Sequence, residues 1–97
     1  MTTAKKIRTT CSVLAELLVR KNADYGDSFR NPCVFIPDVS IEDALLIRMS
    51  DKVTRIANLR LMGSTQSANE SLLDSYRDLA GYCILMIILL QESEAGK

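Results

Sequence analysis

Three carboxylates recur every four residues in the second half of the chain: Glu70, Asp74 and Asp78. In a helix they would share one face, where each like-charged pair costs about a few tenths of a kcal/mol. Mg²⁺ favours one or two carboxylates with water and substrate phosphates, so the stripe is a candidate metal site. The structural alternative is that Glu70 and Asp74 interact favourably with the dipole at a helix N-terminus. Asp78 is the residue that this alternative explains least.

A mixed stripe lies beside an apolar helix face, with spacings of three, four and three residues: Arg48, Asp51, Arg55 and Asn58. As a surface ion-pair ladder it would contribute less than about 1 kcal/mol. Two arginines flanking an acid at the edge of a groove would equally suit phosphate binding with metal coordination. Spacing leaves both interpretations open.

Lys21 falls at the border of an apolar stripe that Leu14 and Leu18 define. Its aliphatic part could lie along apolar surface at a helix C-terminus, with the ammonium group in water. Alternatively, it points into a groove between helices, towards a phosphate. Asp24 and Tyr25 follow in the turn.

Hydrophobic periodicity predicts three helices to carry these side chains, over about residues 3–22, 41–62 and 67–92. Asn22 and Gly26 give a stop signal for the first, and Ser40 is the predicted N-cap of the second. Residues 63–66 form the predicted connection, and Ser67 the cap of the third helix. The expected fold is therefore all-α, a small bundle in one domain over residues 1–97.

Between the first two helices, residues 27–39 contain both prolines and the apolar run Cys33-Val34-Phe35-Ile36. This segment is predicted to be an ordered loop packed by its own hydrophobic side chains. A lone edge strand is the alternative, although the sequence offers it no evident partner strand.

The third helix is apolar on every side over residues 84–90 (ILMIILL). A helix that is hydrophobic all round must be buried on all sides, which two other helices cannot achieve. We therefore expect a homo-oligomer, a dimer or larger assembly that completes a four-helix or larger bundle. In the alternative, the first helix and the loop hydrophobes cover this surface within one chain.

Composition excludes several functions. The 97 residues contain 12 basic and 12 acidic side chains, so no charge excess favours nucleic acid or an anionic membrane. Histidine is absent, which removes His-based catalysis and His-ligated zinc. Three widely separated cysteines fit a reducing cytoplasm better than a disulfide framework. The longest apolar run is too short to span a membrane, which needs roughly 20 residues.

Several segments together carry a family resemblance: KNADYGD at residues 21–27, Arg48 with Asp51-Lys52 and Arg55, and ES, DS and DLAGY at residues 70–71, 74–75 and 78–82. In this order, over most of the chain, they resemble the nucleotide modification associated domain family. That family is found largely in bacteriophages and is related to the all-α nucleoside triphosphate pyrophosphatases of the MazG and dimeric dUTPase type.

The resemblance implies an oligomeric helical bundle whose groove holds a nucleotide. It implies catalytic carboxylates at Asp51, Glu70, Asp74 and Asp78, the last three holding Mg²⁺. It implies substrate contacts at Lys21, Asp24, Tyr25, Arg48, Lys52, Arg55 and Tyr82. The second helix has Asp51 where the MazG-type enzymes carry a dense glutamate motif, which weakens the prediction of hydrolysis more than that of nucleotide binding.

Three functional hypotheses follow. The first is a Mg²⁺-dependent nucleoside triphosphate pyrophosphatase, acting in the host cytoplasm if a phage encodes it. The second is a non-catalytic protein that sequesters a nucleotide, such as an immune signal of the host. The third is a helical scaffold that binds a partner through its apolar third helix.

Overall fold

The computed structural model describes residues 1–63 and 66–95. It contains α1 (Thr3–Asp24), a 3₁₀ turn (Ser28–Arg30), α2 (Ile41–Leu61) and α3 (Gln66–Ala95). The described residues include no strand, so the all-α prediction is confirmed and the edge-strand alternative is not. The predicted helix ends are within a few residues of those observed. The predicted connection overlaps residues 64 and 65, which lie outside the described residues, as does the side chain of the predicted cap Ser67.

Local hydrogen bonds explain where α1 and α2 begin. The Thr2 hydroxyl accepts from the Lys5 amide at 3.2 Å, and the Ser40 hydroxyl accepts from the Asp43 amide at 3.0 Å. Each bond satisfies an amide that has no partner in the first turn of a helix. The predicted cap at Ser40 is confirmed.

The turn after α1 uses two successive residues in the left-handed region, Gly26 with φ 61° and Asp27 with φ 62°. The amides of Tyr25, Gly26 and Asp27 bond back to carbonyls of the last helical turn. Glycine reaches this conformation without strain, and aspartate tolerates it better than most residues. The stop signal at Gly26 therefore has a clear physical origin, and α1 runs two residues beyond Asn22.

Most tertiary packing joins α2 to α3. Leu45 of α2 is only 2% exposed and forms a buried cluster with Leu85 of α3 and Phe29 of the 3₁₀ turn. Ile56 of α2 and Ala68 of α3 are buried as well. Helices α2 and α3 are therefore the part of the chain that burial of apolar surface stabilises most.

Helix α1 packs much less. It has no buried residue, and it contacts α3 mainly where Leu18 lies against Gly81. A Cβ at position 81 would lie 3.4 Å from Leu18 Cδ1, an ordinary van der Waals contact, so a side chain larger than alanine would crowd this approach. Ile7 and Cys11, at the N-terminal end of the predicted apolar stripe, are exposed, whereas Leu14 and Leu18 are half-buried. The radius of gyration is 15.5 Å, above the about 12.5 Å of a compact chain of this length.

The predicted packing of the loop is wrong. Val34 and Phe35 are almost fully exposed, and Ile36 is more than half exposed. Phe29 instead anchors this segment, because the 3₁₀ turn directs it into the cluster with Leu45. Beyond Phe29, Pro32 and Pro37 bracket an apolar run that no described residue covers.

Residues 84–90 of α3 are only partly covered. Leu85 is buried, but Ile87 and Leu90 are each about half exposed (53%). Homo-oligomer formation stays a prediction, in which a second copy would cover these side chains. A mass of one chain measured by sedimentation equilibrium would contradict this prediction. Among the described residues, no helix combines the length and the hydropathy that a membrane span requires.

Candidate functional site

A groove of about 480 Å³ lies where the C-terminal half of α1 passes over α2 and α3. We call it the cationic groove, because four basic side chains line it and one carboxylate faces them. Those five residues are Lys21, Arg48, Lys52, Arg77 and Asp78. The remaining lining is apolar or neutral: Leu14, Leu17, Leu18, Asn22, Tyr25, Gly81, Tyr82 and Leu85.

Asp78 joins all three helices at the centre of the groove. Lys21 of α1 donates from Nζ to Asp78 Oδ1 at 3.1 Å, and Nζ of Lys52 of α2 lies 3.1 Å from Asp78 Oδ2. The side chains of Asp78 and Lys52 are 27% and 26% exposed, so solvent screens this pair less than a surface pair. Partial burial alone would raise the pKa of the Asp78 carboxyl, but the bonds from Lys21 and Lys52 outweigh it and hold that pKa below its usual value.

The two arginines extend the positive charge on either side. Arg48 precedes Lys52 by one turn of α2, so both project from the same side of that helix. Arg77 donates from Nη1 to Asp74 Oδ1 at 3.3 Å, in an exposed pair that contributes little to stability. The lining of the groove thus holds more positive than negative charge, although the whole chain is neutral.

A second depression of about 520 Å³ adds Arg55, Asp74 and Ser75 to residues that it shares with the groove: Leu17, Lys21, Lys52, Arg77 and Asp78. Arg55 donates from Nε to the Ser75 hydroxyl at 3.0 Å. That hydroxyl is 1% exposed and donates to the Ser71 carbonyl at 2.8 Å. The buried Ser75 hydroxyl therefore both accepts and donates a hydrogen bond. Its bond with Arg55 holds that side chain between α2 and α3.

Two predicted aromatic contacts line the groove and one predicted acid does not. Tyr25 is 71% exposed at one end of the groove, whereas Tyr82 is half-buried and packs against the core cluster. Asp24 is exposed and is not among the lining residues. The two rings offer an adaptable contact and a fixed one to a flat ligand.

The turn after α1 is tied to the far end of α3. Asn22 donates from Nδ2 to Asp27 Oδ1 at 2.9 Å, and Arg30 donates from Nε to Asp27 Oδ2 at 2.8 Å. Arg30 also donates from Nη1 to Glu92 Oε2 at 2.6 Å, and its guanidinium stacks over Phe29 at 4.7 Å. The bond from Asn22 lowers the pKa of Asp27, and the bond from Arg30 lowers that of Glu92.

We call this chain of contacts the turn clasp: Asn22, Asp27, Phe29, Arg30 and Glu92. No sequence pattern indicated the turn clasp, because Arg30 and Glu92 are 62 residues apart and neither belongs to a periodic pattern. Asn22 also lines the groove, so the clasp fixes the residue next to Lys21. Much of the conspicuous segment at residues 21–27 therefore shapes a turn.

The structure brings two of the four predicted carboxylates into one depression, since Asp74 and Asp78 both line the second one. Asp74 is paired with Arg77 and Asp78 with two lysines, while Glu70 lines none of these depressions. Asp51 lines a third depression, with Asn58. Within residues 1–63 and 66–95, no group of three or more acids or cysteines is close enough to hold a metal ion. The predicted three-carboxylate arrangement of Glu70, Asp74 and Asp78 is therefore not found among the described residues, and Mg²⁺ binding stays a prediction.

The two stripes do meet, partly through predicted residues, because Arg55, Asp74 and Asp78 line the same depression. Lys52, one position after Asp51, faces Asp78, because consecutive residues are about 100° apart around a helix. Arg55 faces Ser75, which lies between Asp74 and Asp78 on α3. Arg77 also lines the cationic groove. The sequence pointed to it only through its position between two acids of the predicted carboxylate stripe.

A family model described as nucleotide modification associated domain 1 matches residues 21–90, and the chain belongs to that family. Searches of curated proteins and of solved structures found no match. The matched range starts at Lys21 and contains every charged residue of the cationic groove. Most of α1, including Leu14, Leu17 and Leu18, lies outside it.

Proposed function

We propose that this member of the nucleotide modification associated domain 1 family binds a nucleotide in the cationic groove. The observation that carries the proposal is the pair of lysines from different helices beside one carboxylate, with Arg48 and Arg77 in the same lining. The phosphate groups would lie on the lysines and Arg48. The base would lie against Tyr25 and Tyr82.

The charges favour phosphate over a neutral ligand. An ammonium group has three donors, and the contact with Asp78 occupies one of them on each lysine. The others can reach phosphate oxygens, and an arginine can bind two oxygens of one phosphate. A groove with apolar walls also strengthens these interactions relative to bulk water.

The neutral lining favours a nucleotide over bare phosphate. Leucines and two tyrosines form the rest of the groove, and such surfaces pack against a flat base and a sugar. The volume of about 480 Å³ is within the range of about 300–1,000 Å³ of small-molecule sites. The description of the family points in the same direction.

The geometry supports binding better than hydrolysis. A pyrophosphatase of the predicted kind needs carboxylates that hold Mg²⁺ beside the phosphate, and the candidates Asp74 and Asp78 are bound to cations instead. We therefore propose a protein that holds its nucleotide intact, in agreement with the sequestration hypothesis. The scaffold hypothesis has no comparable support from side-chain geometry.

Isothermal calorimetry with ribo- and deoxynucleoside triphosphates and with cyclic and ADP-ribose-type signalling nucleotides tests the proposal. At least one should bind, and chromatography should recover it unchanged after incubation with Mg²⁺. Lys52→Met should weaken binding roughly tenfold, because charged hydrogen bonds contribute about 1.5–3 kcal/mol. Lys6→Met, an equal charge change on the exposed start of α1, is the matched control.

Three results would contradict this function. Absence of binding across the whole panel would favour the scaffold hypothesis. Release of pyrophosphate that is lost in Asp74→Asn or Asp78→Asn would favour the hydrolase. Equal loss of affinity in Lys52→Met and Lys6→Met would indicate attraction by overall charge and no specific site.

A further inference from the structure

The Asp78 carboxylate has an unusual position for a candidate metal ligand. Each of its oxygens has its own ammonium partner, Lys21 at Oδ1 and Lys52 at Oδ2, both at 3.1 Å. The three residues belong to three different helices. The carboxylate thus fixes two long cationic side chains that would otherwise repel each other.

A divalent cation would be unfavourable at this position. At Asp78 it would lie close to both lysines, with Arg48 and Arg77 in the same lining. The nearest carboxylate of the predicted stripe, Asp74, is bound to Arg77. Like charges at such separations repel strongly in a partly buried site. The same arrangement suits an anion, which meets several donors and a single acid.

We propose that Asp78 is a positioning residue that holds Lys21 and Lys52 for phosphate, and that the groove takes its phosphorylated ligand in the metal-free form. A free nucleoside triphosphate carries two more negative charges than its Mg²⁺ complex, so it matches the positive lining better. The inference rests on the proposed function for the identity of the ligand. The positioning of the lysines by Asp78 does not depend on which ligand binds, because it involves only side chains of this chain.

Asp78 has two opposing effects on a bound phosphate. Its negative charge repels the ligand, whereas its two contacts restrict lysines that otherwise lose much rotamer freedom on binding. Asparagine at position 78 would remove the repulsion but would not bridge the lysines. Its amide has one oxygen to accept a bond, and its NH₂ group would face an ammonium group. The sign of the change in affinity therefore distinguishes positioning from simple repulsion.

Titration of the full chain with ATP and with inorganic pyrophosphate, in chelator and in excess Mg²⁺ at constant ionic strength, tests the metal-free part. Both probes should bind in chelator, and Mg²⁺ should weaken each roughly tenfold because it neutralises two ligand charges. Mg²⁺ alone should give no saturable binding at millimolar concentration. Tighter binding of ATP and pyrophosphate in Mg²⁺ would overturn the inference without any variant that has to fold.

The positioning part is tested with Asp78→Asn, and with Asp38→Asn as an equal charge change on the exposed loop. In Asp78→Asn, the Nζ NMR signals of Lys21 and Lys52 should move towards those of the exposed Lys5, and pyrophosphate affinity should fall roughly tenfold. Asp38→Asn should change neither, and Asp78→Glu should restore part of the affinity. Unchanged lysine signals, or tighter pyrophosphate binding by Asp78→Asn, would refute the positioning role.

The two probes separate failure of this inference from failure of the proposed function. If pyrophosphate binds in chelator and no nucleotide does, the nucleotide function fails and the metal-free phosphate site stands. If nucleotides bind only with Mg²⁺, the function stands and the inference fails. If neither probe binds in either condition, the inference is wrong, and the proposed function fails as well if the rest of the nucleotide panel also does not bind.

Discussion

The α2–α3 pair and α1 are held in different ways, although both form the cationic groove. Leu45, Ile56 and Leu85 are buried between or beside α2 and α3, whereas α1 has no buried residue. Helix α1 is attached by Leu18 on Gly81, by the contact between Lys21 and Asp78, and by the turn clasp. One side of the groove is therefore built on a core and the other is attached mainly through polar contacts.

This difference coincides with the match to the family. The matched range of residues 21–90 includes α2, the groove cations and the residues that clasp the turn, except Glu92. It omits most of α1. We infer that the part of α1 that matters for the site is its C-terminal end, where Lys21 and Asn22 lie. The exposed N-terminal part contributes little to the groove.

The largest effect should come from the core of the α2–α3 pair. Leu45→Ala should lower the free energy of unfolding by about 2–5 kcal/mol, because it removes a fully buried side chain and leaves a cavity. Leu46→Ala, on the half-exposed neighbour in the same helix, should cost less than about 1 kcal/mol. Urea unfolding of both variants measures the difference, and similar values would contradict the assignment of the core.

A smaller effect should follow from separation of α1 from α3. Gly81→Leu would add a side chain where Leu18 approaches, so α1 should move away while α2 and α3 keep their packing. We expect faster amide exchange in α1 and at least roughly tenfold weaker nucleotide binding, with little change in the α2–α3 amides. Gly81→Ala, whose Cβ would make an ordinary contact at 3.4 Å, is the matched control.

In that experiment, alanine should be tolerated, and it should offset any crowding by up to about 1 kcal/mol of helix propensity. Uniform destabilisation of all three helices by Gly81→Leu would contradict independent attachment of α1. Loss of nucleotide binding in Gly81→Ala would show that the groove tolerates less change than the geometry indicates.

The smallest expected effect is the loss of stability of the fold at acidic pH. The pKa values of Asp27, Asp78 and Glu92 all lie below their usual values, so these carboxylates stabilise the fold above about pH 4. That stabilisation is lost as pH falls through the lowered pKa values, since the unfolded chain then binds more protons. Because these groups attach α1, its NMR amide signals should change at lower pH before those of α2 and α3. Simultaneous changes in all helices would contradict this order.

The sequence predicted the secondary-structure elements better than it predicted which side chains contact each other. Periodicity found the three helices, and the Ser40 cap was readable because its acceptor role depends on an amide three residues away. The four-residue spacing correctly placed Asp74 and Asp78 on α3. It could not predict that Asp78 meets Lys21, 57 residues away, since that contact depends on how the helices pack.

Two differences between the sequence expectations and the structure have the same physical origin. Asp51 was chosen because it lies in a regular stripe with Arg48 and Arg55, but the angle of packing turns Lys52 towards Asp78. Val34 and Phe35 were expected to be buried because they are apolar, but burial needs a surface to pack against, and in this segment it is Phe29 that packs against Leu45 and Leu85. The local sequence pattern determines where a helix forms, whereas tertiary contacts determine which of its residues face the core or the groove.

The central claim is that a nucleotide occupies the groove between the firmly packed pair and α1. Hydrogen exchange with mass spectrometry, with and without a saturating concentration of the nucleotide that binds best, tests it most directly. We expect the ligand to slow exchange around residues 18–25, 48–52 and 77–82 and to leave residues 3–10 unchanged. Protection confined to the depression beside Asp51 and Asn58, or no protection despite measured binding, would contradict the claim.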